Sequence, residues 1–146
     1  MAVGTKTPWH LWVVGGVSLL WNAYGGFDFI MSVTRGEAYW RESGMTQPMI
    51  DYYNAMPAWM YAPWTLGVWG AVIGSILLLL RNRLAVPAFA ISVVGAVASA
   101  LYGLMHPMPD LPPAMAVMTY MPWVIVVIAA LLLWYAWSMG KRGLLR

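Results

Sequence analysis

The charges along this chain are sorted by side. Four long apolar stretches divide it, and the short segments between them alternate in sign. Lys6, then Arg81 and Arg83, then Lys141, Arg142 and Arg146 occupy one set of alternate flanks, six of the eight basic residues. The other flanks hold Glu37, Glu42, Asp51 and Asp110, with Arg35 and Arg41 as their basic company. The fifth acid, Asp28, lies inside an apolar stretch. Short loops rich in Lys and Arg stay on the cytoplasmic side of a membrane. The pattern therefore predicts an all-α, four-helix transmembrane bundle, up-down-up-down, with both termini cytoplasmic.

Composition agrees. Hydrophobic residues make up 62% of the 146 and charged residues 9%, against about 25% charged in soluble domains. Crossing the hydrocarbon takes about 20 apolar residues, and the chain supplies them at about 9–33, 57–80, 84–104 and 114–138. These spans use most of 1–146 and predict a single membrane domain. The first is too long for a signal h-region and no A-x-A site follows it, so it reads as a retained span. The net charge of +3 is explained by topology, which argues against nucleic acid as a partner. The bilayer is the predicted partner, with a weak pull on anionic headgroups. Cysteine is absent, which excludes disulfides, Cys-ligated metal centres and thiol redox chemistry.

Small residues recur at helical spacing in three of the spans. Gly15, Ser18, Asn22 and Gly25/Gly26 mark one face of the first, Gly67, Gly70, Ala71 and Gly74 the second, and Ser92, Gly95/Ala96, Ser99 and Gly103 the third. Such stripes let backbones approach closely in lipid, so Gly15, Gly67, Gly70, Gly74 and Gly95 are the predicted packing positions. The Arg81-Asn82-Arg83 turn is short enough to make the second and third spans antiparallel neighbours. Pro63 predicts a kink near the outer end of the second span, and Pro122 one in the fourth. Between the first two spans, Ser43-Gly44 breaks the segment 34–56. Thr46 and Pro48 then open a short helix with Met49, Tyr52, Tyr53 and Met56 on one face and Asp51 and Asn54 opposite. It reads as an amphipathic interfacial helix on the outer leaflet, or else as a helix that docks a partner.

Few residues here can carry chemistry. Asp28 lies about 19 residues past Trp9, near the outer edge of the hydrocarbon, where an unpaired carboxylate is costly. Its candidate partners are Tyr24, Ser32, Arg35, Tyr102, His106, Thr119 and Tyr120. Functionally it would be a proton, cation or substrate site; structurally, an interhelical hydrogen bond or an interfacial anchor. Asn22 sits deeper and predicts a hydrogen bond across a helix interface. His10 and His106 fall on opposite sides, so they cannot jointly ligate one haem. Ten of the twelve methionines map to the outer half. Met105-His106-Pro107-Met108 has soft donors of the kind that favour Cu(I), but Met is equally a pliant apolar filler. No Ser/His/Asp set, paired carboxylates, phosphate loop or HExxH appears. The expectation is a non-enzyme with no catalytic residues, metal or cofactor.

Pro8-Trp9-His10-Leu11-Trp12-Val13-Val14-Gly15 followed by Leu20-Trp21-Asn22-Ala23 resembles a family of small alphaproteobacterial inner-membrane proteins. So do Met56-Pro57-Ala58-Trp59, Leu66-Gly67-Val68-Trp69-Gly70 and the boundary at Arg81. The resembling segments cover roughly the first two-thirds of the chain and leave 105–122 unmatched. The resemblance implies a four-span protein of the bacterial inner membrane and transfers no catalytic residue. Members sometimes carry the label of sugar transporter, whereas this sequence has no internal repeat or polar channel lining of that kind. Two functions follow. One is a non-catalytic accessory or assembly subunit of a larger membrane complex, partnered by other subunits or by itself. The other is a small transporter or binding protein for an apolar molecule or ion, using an outer cavity near Asp28 with Asn22, Tyr24, Tyr102, His106 and Thr119.

Overall fold

Six helices account for the regular structure in the computed structural model, which describes residues 6–108 and 111–146. They are α1 (Trp9–Arg35), α2 (Glu37–Glu42), α3 (Gln47–Asn54), α4 (Tyr61–Leu79), α5 (Ala85–Met105) and α6 (Val117–Lys141). Single 3-10 turns, Ala58–Met60 and Pro113–Met115, lead into α4 and α6. No strand occurs among the described residues. Three stretches are long and apolar enough to cross a membrane, Ala58–Leu79, Ala85–Met105 and Pro113–Lys141. This is a multi-pass helical membrane protein. With 27 residues α1 is as long, but Asn22, Asp28 and its glycines make it less apolar, and it stands outside that set.

The four long helices form a row in the order α1, α4, α5, α6, each antiparallel to its neighbour. Along the first pair, Gly15 packs against Leu79 and Gly26 against Trp69. Along the second, Gly67 meets Gly95 and Ala96, Gly70 meets Ala88 and Ser92, and Gly74 meets the Phe89 ring. This contact is backbone on backbone. A Cβ added at Gly95 would stand 2.5 Å from the Gly67 nitrogen, and one at Gly70 3.0 Å from the Ala88 carbonyl oxygen. The Ser92 hydroxyl donates to the Gly67 carbonyl at 2.7 Å and reinforces the same crossing.

The row closes at the end that carries Lys6, Arg81, Arg83 and Arg142, here the basic end. There Leu11 and Leu78 pack with Ala85, Phe89, Leu132, Ala136 and Met139 into one buried cluster, and His10 Nδ1 shares a hydrogen bond with the Tyr135 hydroxyl. Beyond this contact a cleft of about 400 Å³ lies between α1 and α6, lined by Val13, Val17, Trp21, Ile128 and Leu132 among others.

Both helices that stop at the basic end use the same device. The Asn82 N–H bonds the Leu77 carbonyl at 2.8 Å, and the Leu144 N–H bonds the Met139 carbonyl at 3.0 Å. Each is the long closing bond of a Schellman motif, whose residue after the cap is left-handed. In α6 that residue is Gly143, φ 75°; in α4 it is Arg81, φ 56°, at a cost of about 1 kcal/mol for a residue with a Cβ. Arg81 offsets the strain by bonding outward. Its carbonyl accepts from the Arg146 N–H at 2.7 Å, its Nε donates to the Leu144 carbonyl at 3.2 Å, and Arg83 N–H donates to the Arg146 carbonyl at 2.8 Å. Leu144 and Leu145 are buried in consequence.

Of the two prolines expected to kink a span, Pro63 behaves differently and Pro122 lies within its helix as expected. Pro63 lies in the first turn of α4, because 58–60 is a separate 3-10 turn. Its missing N–H is one that a helix start leaves unpaired anyway, so no mid-helix kink is required. Pro122 is inside α6, where the Met118 carbonyl loses its helical donor. The described part of α6 begins at Val117, with 113–115 in the 3-10 turn rather than in the α-helix. Asp110, one of the acids that set the charge pattern, lies outside the described residues.

The α4–α5 contact makes a specific demand. Gly95→Val should force the two backbones apart and destabilise the protein by about 1–3 kcal/mol. Gly103→Ala, where a Cβ meets nothing within 4 Å, should leave stability unchanged. Thermal unfolding of both variants in detergent checks the pair, and equal losses would show that small size at position 95 is not what the crossing needs.

Candidate functional site at the acidic end

At the other end, α1 runs two residues past the predicted span and stops at Arg35. Gly36 follows with φ 53°, a left-handed conformation that favours glycine, and its N–H closes on the Ser32 carbonyl at 3.0 Å. The turn sends α2 back along the last turns of α1. Two side chains of α2 then meet α1: the Tyr39 hydroxyl donates to Asp28 Oδ1 at 2.7 Å, and Trp40 Nε1 donates to Ser32 Oγ at 3.1 Å.

The chain bends again at 43–46 and α3 crosses the acidic end. Pro48 sits in its first turn as expected. The Thr46 hydroxyl makes no capping bond and is buried without a partner. Tyr53 stacks on Trp40 with ring centroids 5.3 Å apart, Asn54 Nδ2 donates to Glu37 Oε1 at 2.7 Å, and the Tyr52 hydroxyl donates to the His106 carbonyl at 2.7 Å. So α3 ties α2 to the end of α5, and α2 is in turn bonded to the end of α1. Its buried pair is Met49 and Ile50, so the inward face is centred one residue away from the stripe expected through Met49, Tyr52, Tyr53 and Met56. Asp51 and Asn54 are exposed as the amphipathic reading requires.

The predicted polar residues are brought together only in part. Asp28 takes its hydrogen bond from Tyr39, a residue outside the candidate set, and none from Tyr24, Tyr102, His106 or Thr119. Arg35, another candidate, pairs instead with Glu42 at 2.6 Å. Tyr24 is 70% exposed on α1. Tyr102 and His106 stack on each other on α5 with centroids 4.4 Å apart, and His106 Nδ1 lies 3.2 Å from the Tyr102 carbonyl of its own helix. Thr119 is exposed on α6. Asn22 belongs to a different layer: its Nδ2 donates to Ser75 Oγ at 2.9 Å and to the Ala71 carbonyl at 3.3 Å, fastening α1 to α4. Met49 and Met60 are buried filler, whereas Met105 is 74% exposed beside His106.

Tyr39 was legible in hindsight from Gly36 followed by Glu37-Ala38-Tyr39-Trp40-Arg41-Glu42. A glycine after an apolar helix marks its stop, and a six-residue run with Glu at the start and Arg near the end suits a short helix. What no local pattern supplies is the direction in which that helix folds back.

The hydrogen bond to Asp28, with burial behind it, pushes the Tyr39 phenol from the ordinary 10.0 up to about 12. Tyr53 also rises to about 12, there chiefly through burial and secondarily through the Asp28 charge. This cluster is one carboxylate held by a phenol beside a second, stacked phenol. It can accept a hydrogen bond and bear a negative charge, but it presents no second acid, base or nucleophile in line with it. Among the described residues no group of three His, Cys, Asp or Glu converges on a point. Comparison of the chain with family models, curated proteins and solved structures finds no match.

A phenol whose folded pKa exceeds its unfolded one stabilises the fold fully below pH about 10, and that contribution fades as pH rises through about 12. Two tyrosines should therefore titrate late in the native protein, read from phenolate absorbance. In Asp28→Asn the later titration of Tyr39 should fall back toward 10, while that of Tyr53, governed by burial, should move little. If Tyr39 does not respond, the Tyr39–Asp28 bond is wrong.

Proposed function

We propose that this protein is a non-catalytic accessory or assembly subunit of a larger complex in the bacterial inner membrane. The observation that carries the reading is how the chain spends its polar groups. Asn22, Ser75 and Ser92 are consumed in helix–helix bonds, and Asp28 is taken up by the fold-back of α2. By contrast, the outward faces of α1 and α6 are apolar and exposed: Val13, Val17, Leu20 and Phe27 on one, Val127, Leu131, Trp134 and Trp137 on the other. Such faces suit lipid or the helices of another subunit. The clefts at α6 and between α1 and α6 are lined without Asp28, which weakens the alternative of a transporter or binding protein built around that carboxylate.

The same reading takes α1 as a fourth span and makes the topology up-down-up-down. At about 1.5 Å per residue its 27 residues reach about 40 Å, enough to cross, and it lies antiparallel along α4 as a spanning neighbour must. With the basic end cytoplasmic, the α2–α3 collar rests at the outer interface. The resemblance to small alphaproteobacterial inner-membrane proteins belongs to this proposal and adds no site to it.

Two measurements test it. Purified in mild detergent, the protein should come out in fixed stoichiometry with a larger membrane complex; a lone homo-oligomer that binds a small molecule would instead support the transporter reading. A reporter fused after Arg146 should prove cytoplasmic, and a periplasmic reporter would falsify the orientation.

A further inference from the structure

The cleft between α1 and α6 lies along the half of α1 nearer the basic end. Its wall is apolar throughout, because Ser18, the one hydroxyl there, turns back to its own helix and donates to the Gly15 carbonyl at 3.1 Å. From Val13 to Trp21 it runs about 12 Å along α1, close to the thickness of one leaflet of hydrocarbon, about 15 Å. About one helical turn beyond its basic end, His10 of α1 and Tyr135 of α6 are joined by a hydrogen bond. Arg142, the C-cap of α6, follows Tyr135 by about two helical turns and so stands on the same face of that helix. Lys141, one residue earlier, sits over the Trp137 ring at 4.1 Å.

Among the described residues neither Lys141 nor Arg142 takes part in an ion pair. Both ion pairs among the described residues, Arg35 with Glu42 and Arg41 with Glu37, are at the opposite end. A groove with the length of one acyl layer, with a phenol–imidazole pair one turn beyond it and a guanidinium about two turns further along α6, complements a single class of molecule. It is one with a long alkyl chain and an anionic phosphate at its head.

We propose that the α1–α6 cleft binds one anionic phospholipid of the inner leaflet. Its acyl chain lies along Val13, Val17, Trp21, Ile128 and Leu132, and its phosphate sits at Arg142 beside His10 and Tyr135. The lipid supplies the side wall that the row of four helices leaves open between α1 and α6. The placement rests on the proposed orientation of α1 within the membrane. It does not depend on the accessory-subunit reading, because it concerns the isolated protein.

Native mass spectrometry of the purified protein, delipidated and then titrated with phosphatidylglycerol or phosphatidylcholine, tests this directly. One phosphatidylglycerol should be retained in preference to phosphatidylcholine. Arg142→Gln should weaken phosphatidylglycerol binding about fivefold, the effect of one basic residue at an anionic surface. Val17→Trp, which fills the cleft from an exposed position, should weaken both lipids. A photoreactive side chain at position 17 should label lipid in the membrane. Equal retention of the two lipids with Arg142→Gln unchanged overturns the headgroup assignment. Retention unaffected by Val17→Trp overturns the cleft, and labelling of a second protein or a second copy shows that another helix occupies it. A protein that purifies alone yet keeps the lipid would leave this inference standing while the accessory-subunit reading falls.

Discussion

Everything else in this molecule hangs on the close approach of α4 and α5. Inside a bilayer, burying a leucine against another leucine gains little over leaving it against lipid tails, so helices associate through packing and polar contacts. Gly67, Gly70 and Gly95 remove the side chains that would hold the backbones apart, and Ser92 uses the approach to bond the Gly67 carbonyl at 2.7 Å. Such a bond is worth about 0.6 kcal/mol on average. It also ties Ser92 of α5 to one turn of α4 at Gly67. With α4 and α5 set, α1 and α6 dock on the free flanks of the pair.

The two ends of the row are finished by different chemistry. At the basic end the backbone does the work. Two Schellman motifs leave Arg81 and Gly143 left-handed, and the bonds exchanged between Arg81, Arg83 and Arg146 draw Leu144 and Leu145 under the cluster around Phe89. At the acidic end the side chains do it. Tyr39 and Trp40 reach from the collar to α1 and Tyr52 to the end of α5, each with a ring that is apolar along its body and polar at its tip. Aromatic residues of that kind are enriched where a membrane gives way to water. On the proposed topology the collar lies at that interface, and Asp28 belongs to the collar through its bond to Tyr39.

That assignment changes what Asp28 means. A carboxylate in a span is a functional suspicion by default, and the suspicion rests on its having nothing to pair with. Here a phenol supplied from eleven residues further along the chain fills that role. Asn22 is likewise accounted for by Ser75 and the Ala71 carbonyl. Asn22, Ser75 and Ser92 are spent on holding helices together. What remains unspent is the apolar outside of α1 and α6 and, at the basic end, cations such as Lys141 and Arg142 that form no ion pair among the described residues.

By itself the sequence determined the helical class, the antiparallel order of α4 and α5, the small-residue positions at which helices meet, and the segregation of charge. These follow from local rules: apolar length, glycine spacing, a two- or three-residue turn, and the cost of placing Lys or Arg in hydrocarbon. It also located the break at Ser43-Gly44 and the helix after it. Only the tertiary structure decided which partner Asp28 takes, because the choice depends on the angle at which Gly36 turns α2 back along α1. The face of α3 that is buried, the docking of Leu144 and Leu145, and the opening between α1 and α6 are of the same kind. Each is a contact between segments whose separation in sequence carries no periodic signal, and each is settled by the space that the four long helices leave when their glycines have come together.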